Sequence, residues 1–158
     1  MKISFLLTGK TESLSLIKEM EIYEERIRRY SAYSRIEIPE LKKVASLSKE
    51  EIKQREGEII LKHIKQQDQV VLLDVAARCQ TSEEFAAFIE KRGVYGARNL
   101  VFVVGGAYGF SEEVYSRADY KSSRSSMTFS HQLGRLLFLE QLYRAFTIIR
   151  GEPYHHGG

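Results

Sequence analysis

Leu100-Val101-Phe102-Val103-Val104-Gly105-Gly106-Ala107-Tyr108-Gly109-Phe110 is the stretch that decides how this 158-residue chain folds. Five consecutive apolar residues, three of them β-branched, suit a strand covered on both faces, as in a parallel sheet flanked by helices. Gly105, Gly106 and Gly109 follow at the strand's carboxyl end. In open α/β sheets that edge carries the ligand, and glycines let backbone approach it without intervening Cβ atoms. A tight strand-to-helix turn explains the same glycines, so the neighbouring segments must decide between the two.

Working outward, Val70-Val71-Leu72-Leu73-Asp74-Val75 reads as a second buried strand, with Asp74 placed to accept from a ligand or to cap the next turn. Between the two strands, Thr81 and Glu84 have capping-box spacing, so a helix is expected from there to Arg92-Gly93. Nearer the amino terminus, Lys2-Ile3-Ser4-Phe5-Leu6-Leu7-Thr8 starts the sheet. Leu16, Ile17, Met20, Tyr23, Ile27 and Tyr30 recur at three and four, marking an amphipathic helix over 14–30. Arg26, Arg28 and Arg29 at its end suit the helix dipole or an RNA contact. A short strand over 35–38, a mobile polar loop over 40–49 and a second helix over 49–66 follow, with Gly57 an interior cost of about 1 kcal/mol.

Downstream of the glycines, Ser111-Glu112-Glu113 opens a short helix. The hydroxyl-rich run 119–126 reads as an ordered loop leading into a final helix over 131–150, apolar almost all round. One face of a surface helix cannot bury so many large side chains. About five in surplus, at roughly 1.5 to 3 kcal/mol each, leave on the order of 10 kcal/mol of burial to a partner, most simply a second copy related by a two-fold axis.

Residues 1–158 are expected to form a single domain, long enough for a core without disulfides or metals. Cys79 is the single cysteine, which excludes an internal disulfide and suits a reducing, cytoplasmic setting. No signal peptide or transmembrane-length run is seen, so no membrane partner is expected. The net charge of +3, from 24 basic and 21 acidic residues, permits a nucleic-acid partner without requiring one. Several site classes fail on spacing. The glycines read Gly-Gly-x-x-Gly after a late strand, against a usual dinucleotide domain, and the first glycine that a phosphate-binding loop needs before Gly9-Lys10-Thr11 is absent. His63, His131, His155 and His156 make no metal motif, and no serine sits in a nucleophile elbow.

Leu73-Asp74, Val104-Gly105-Gly106-x-x-Gly109, Met127-Thr128-Phe129-x-His131-Gln132, Leu142-Tyr143-Arg144-Ala145-Phe146 and Pro153-Tyr154-His155 together carry a resemblance. Over its whole length the chain resembles the small bacterial SPOUT-class methyltransferases of large-subunit ribosomal pseudouridine. That resemblance implies an α/β fold, a mostly parallel sheet flanked by helices, with its C-terminal part threaded into a deep trefoil knot. It implies an S-adenosyl-L-methionine pocket formed by Leu73, Gly105, Gly106, Ser125, Ser126, Met127, Thr128, Phe129 and Ser130. It further implies a homodimer that completes the active site. The expected substrate is N3 of pseudouridine 1915, in standard rRNA numbering, in helix 69 of 23S rRNA within the assembled 70S ribosome. Ser130 departs from the family, which usually has proline before the histidine; serine can cap the helix but gives up proline's fixed φ.

A sulfonium methyl donor is already activated, so alignment and one base suffice for an imide nitrogen. His131, or His155 in the tail, is the candidate for moving that proton, although His131 also reads as an ordinary first residue of a helix. Arg144 or Arg135 would hold phosphate or the developing anion, and Tyr154 beside His155 suits stacking on an unstacked base. Two other classes stay open: a non-catalytic dimeric ribosome-associated protein, and a flavodoxin-like domain binding a phosphate-bearing cofactor.

Overall fold

A computed structural model describes residues 1–123 and 125–157. Five strands form one sheet: β1 (Lys2–Thr8), β2 (Ala32–Ile38), β3 (Gln69–Leu73), β4 (Asn99–Val104) and β5 (Tyr120–Ser122). Their order is β2-β1-β4-β3-β5 and every pairing is parallel. The helices are α1 (Leu14–Arg28), α2 (Lys49–Lys62), α3 (Ser82–Val94), α4 (Glu112–Arg117) and α5 (His131–Arg150).

The uninterrupted apolar runs of β1 and β4 are explained by burial on both faces. Ile3, Phe5, Leu7, Leu100 and Phe102 point into one core with α1, α3 and α5. Leu6, Val101 and Val103, one residue out of phase, point into a second core with α2 and α4. Aromatic packing fixes the first core, where the Phe138 ring of α5 lies 4.6 Å from Phe5 and 4.9 Å from Phe102, centroid to centroid.

Five departures from the sequence reading have local causes. β5 is a strand inside the run expected to be a loop; its three residues pair with β3 from Val71 to Leu73. β2 begins at Ala32 because it pairs with the whole of β1. The third helix runs through Gly93, and Gly96, with φ +81°, makes the left-handed turn beyond it. Gly57 is a close approach of helices: a Cβ there would overlap the Ser111 hydroxyl and lie 3.2 Å from Val114. In place of a structureless loop over 40–49 there is a short 3-10 turn at Val44–Ser46.

The end of the chain takes an unusual course. After β5, at the sheet edge, it crosses to the face holding α1 and α3 and runs between them as α5. On the way it passes the loop joining β3 to α3. Both ends of that loop grip it, Asp74 N donating to Ser122 O at 3.0 Å and Gln80 N to Ser123 O at 3.2 Å. The two ends of the loop therefore hold the crossing chain at residues 122 and 123. Flanked on two sides, α5 covers more of its apolar girth within its own chain than the sequence count implied. Leu136, Leu137, Tyr143, Ile148 and Ile149 are half-buried, and Leu133 is the large apolar residue of this helix that stays exposed.

Gly57→Ala is expected to lower stability by about 1 to 3 kcal/mol, the cost of overpacking, in spite of alanine's better helix propensity. Urea denaturation measures it; a stabilised variant would mean that the α2–α4 contact yields easily.

Candidate functional site

Three loops converge at the carboxyl ends of β3, β4 and β5 and enclose a cavity of about 310 Å³. Leu73 and Asp74 close one side, Gly105 and Gly106 a second, and the segment from Ser125 to His131 the third. Of the residues expected to hold a cofactor, Leu73, Gly105, Gly106, Ser125, Met127, Thr128, Phe129 and Ser130 all line it. Ser126 does not; it is exposed on the outside of the same turn.

The three glycines serve two different purposes. Gly109 alone of the three has a positive φ, +86°, where it closes a turn onto Gly106 O. Gly105 and Gly106 make room behind the loop. A Cβ on Gly105 would lie 2.9 Å from the Phe110 ring, and one on Gly106 2.7 Å from Glu56 Oε1. Burial, and then the neighbouring Glu40, push the Glu56 carboxyl above its ordinary range.

Ser130 reproduces what a proline would supply. Its φ is −60°, within proline's range, and its hydroxyl accepts from Leu133 N at 3.2 Å to cap α5. His131, the first residue of that helix, lines the cavity, and no described group hydrogen-bonds its ring. Asp74 also lines it but is occupied, accepting from Ala76 N at 3.0 Å and from the Tyr115 hydroxyl at 2.7 Å. Burial and that hydrogen bond push Tyr115 up to about 12. The Tyr115 contact, 41 positions from Asp74, had no signal in the sequence.

Arg135 is excluded from binding phosphate or an anion. Its guanidinium is 3% exposed and engaged, donating to Thr8 O at 2.8 Å and Thr11 Oγ1 at 3.0 Å, with Glu37 at 3.6 Å. It pins the start of α5 to the turn after β1.

Arg144, Tyr154 and His155 do meet, at the far end of α5. Arg144 donates through Nε at 3.0 Å and Nη2 at 2.6 Å to Glu140 Oε1, which also accepts from the Tyr154 hydroxyl at 3.1 Å. Arg144 Nη1 lies 3.0 Å from His155 Nδ1, and His155 Nε2 lies 2.7 Å from Glu83 Oε1. Since a guanidinium only donates, Nδ1 accepts and the ring proton sits on Nε2, donated to Glu83. Arg144 is held above its ordinary range by its bonds to Glu140, and Tyr154 is raised well above its own by burial and by Glu140. The His155 bond holds Glu83 below its usual range. Glu140 was detectable from its i,i+4 spacing to Arg144, but Glu83, 72 positions from His155, was not. At 1.5 Å per residue, His131 and Arg144 stand roughly 20 Å apart along the helix, so this cluster and His131 do not touch one atom.

A sequence profile described as "Predicted SPOUT methyltransferase" matches residues 1–155. The chain belongs to the SPOUT methyltransferase family. It is 49% identical over 156 residues, 99% of both chains, to the ribosomal RNA large subunit methyltransferase H of Christiangramia forsetii. To the proteins of the same name from Parabacteroides distasonis and Flavobacterium johnsoniae it is 46% and 45% identical, again over 99% of both chains. Membership of the SPOUT family implies the knotted fold. As a SPOUT methyltransferase the protein is an enzyme whose class calls for an S-adenosylmethionine-type methyl donor. Among the described residues no group of three or more potential metal ligands occurs, and no helix is long and apolar enough to cross a membrane.

Tyr115→Phe should lower stability by about 1 kcal/mol at neutral pH, the worth of one hydrogen bond. The folded phenol titrates at about 12 and the unfolded one near 10, so this contribution is present below pH 10 and fades as pH rises toward 12. Urea midpoints of the two proteins should converge over that window.

Proposed function

We propose that the protein transfers a methyl group from S-adenosyl-L-methionine to N3 of a pseudouridine in helix 69 of 23S rRNA, acting on the assembled ribosome. The observation that carries this reading is the cavity enclosed by the knot loops, lined by eight of the nine residues proposed for the cofactor. The printed names of the relatives support the large-subunit rRNA as substrate. A ribosomal substrate in turn supports a cytoplasmic location.

The glycine loop and the segment leading into α5 fit the donor chemically. Leu73, Met127 and Phe129 supply apolar surface for a purine, and the loop backbones supply hydrogen bonds to its edge. Bound there, S-adenosylmethionine supplies an activated methyl on a sulfonium, which leaves as a neutral thioether. His131, at the cavity wall with its ring nitrogens open, takes the N3 proton. Tyr154, whose hydroxyl stays protonated, and Arg144, whose charge is fixed by Glu140, hold and stack on the target nucleotide and steady the imide anion. The roughly 20 Å between the ends of α5 gives a homodimer a chemical purpose, since a second copy can bring its tail to the cavity of the first. Leu14 and Leu133, exposed at the amino-terminal ends of α1 and α5, suit the contact.

Radiolabelled S-adenosylmethionine, incubated with ribosomes from a strain lacking the protein, is expected to label the helix 69 loop. Free large subunits run in parallel would reveal which particle is preferred. Label at another nucleotide would change the acceptor, and donor binding without any label would leave a non-catalytic ribosome-associated dimer. Truncation before Tyr154 is expected to abolish transfer while donor affinity, by calorimetry, stays within about threefold; undiminished turnover would remove the tail from the mechanism. His131→Ala should lower the rate of transfer by about 100-fold or more, the range of general-base contributions, with donor affinity changed far less.

A further inference from the structure

The donor cavity has a neighbour. A second cavity, of about 230 Å³, opens between the first turn of α3 and the middle of α5. It shares Leu73, Ser122, Ser123, Ser125 and Phe129 with the first, so the two adjoin. On its far side stands Glu140, the carboxylate that gathers Arg144 and Tyr154. The second cavity thus lies between the place proposed for the methyl donor and the cluster built by the tail.

Its volume falls below the roughly 300–1,000 Å³ of pockets that enclose drug-sized ligands, which suits a fragment the size of a single ring system. Its apolar surface is aromatic: Phe85 and Phe138 are buried beneath, and Phe129 is 38% exposed at the boundary. Its polar groups form a chain that is satisfied on one side only. Ser82 Oγ donates to Gln141 Oε1 at 2.7 Å, Gln141 Nε2 to Glu140 Oε2 at 3.0 Å, and Ser122 Oγ to Gln80 Oε1 at 2.6 Å. That leaves the Gln80 amide nitrogen with donors to spare and the Glu140 carboxylate able to accept.

The geometry points to this second cavity as the pocket for the acceptor base, a single uracil-type ring taken out of its stack. The assignment rests on the methyl-transfer reading above. A flipped base is held between apolar faces and read at its polar edge. Here Phe129 and Phe85 supply the faces. The Gln80 amide donates to a ring carbonyl, and Glu140 accepts a ring N–H. Pseudouridine carries such a second N–H beside N3, whereas uridine has its glycosidic bond at that nitrogen, so Glu140 gives the pocket a means of telling them apart.

Two variants test the assignment. Ser82→Leu fills the cavity from the α3 side, and Gln80→Leu removes its donor; neither residue lines the donor cavity. S-adenosylhomocysteine affinity by calorimetry and single-turnover transfer to ribosomes at saturating donor are measured on full-length protein of unchanged melting temperature. Affinity is expected within about twofold of the parent, and transfer reduced at least about 100-fold by Ser82→Leu and about 10-fold by Gln80→Leu. Transfer at the parental rate in both would overturn the assignment. So would a parallel fall in S-adenosylhomocysteine affinity, which would give the cavity to the donor's amino-acid half. If the parent protein itself transfers no label to ribosomes, the methyl-transfer reading fails instead, and that outcome is seen before either variant is compared.

Discussion

Asp74 N and Gln80 N, one at each end of the loop between β3 and α3, donate to the carbonyls of Ser122 and Ser123. Two such bonds are worth roughly 1 kcal/mol each in net stability, yet the arrangement of the molecule depends on them. They hold the crossing chain to a loop of an earlier part, and the segment that leads into α5 starts from that attachment. β5 is held at the edge of the sheet, the hydroxyl-rich segment is brought over the carboxyl ends of β3 and β4, and α5 is delivered between α1 and α3. The cavity proposed for the donor is the space left between the β3–α3 loop, the glycine loop and the segment leading into α5.

α5 then serves as a beam with different chemistry at its two ends. At its start, the buried Arg135 ties it to Thr8 and Thr11, which fixes His131 at the cavity wall. At its other end, Glu140 and Arg144 turn the tail back so that Tyr154 lies along α5 and His155 reaches the first turn of α3. Between these ends the helix is packed by aromatic contacts, with Phe138 against Phe5 and Phe102, and Tyr143 against Tyr154. A rigid element of this length keeps the two polar clusters at a constant separation, which a second protomer or a substrate has to bridge.

Elements longer than about five residues, with apolar runs or regular spacing, were legible in the sequence: β1, β3, β4, the capped helix α3 and both ends of α5. Burial on one or both faces imposes a pattern that single residues cannot disguise. β5 was not legible, because three residues of mixed polarity carry no period; its pairing with β3 comes from the crossing of the chain. Gly57 looked like a defect because what it accommodates, Ser111, is 54 positions away. Arg135 looked available for the same kind of reason, its partners Thr8 and Thr11 lying at the opposite end of the chain.

By itself the sequence determined which residues come together: eight of the nine residues expected around the cofactor line one cavity, and Arg144, Tyr154 and His155 form one hydrogen-bonded cluster. It also determined the parallel α/β class, through strands too apolar to face water. Only the tertiary structure decided which arginine is available, why two of the glycines are glycine, that the tail and His131 belong to opposite ends of one helix, and that a second cavity lies between them. Local pattern follows from short-range backbone sterics and burial, both written in neighbouring residues. Availability, close approach and enclosure are made by groups tens of positions apart and come into existence only when the chain has closed around itself.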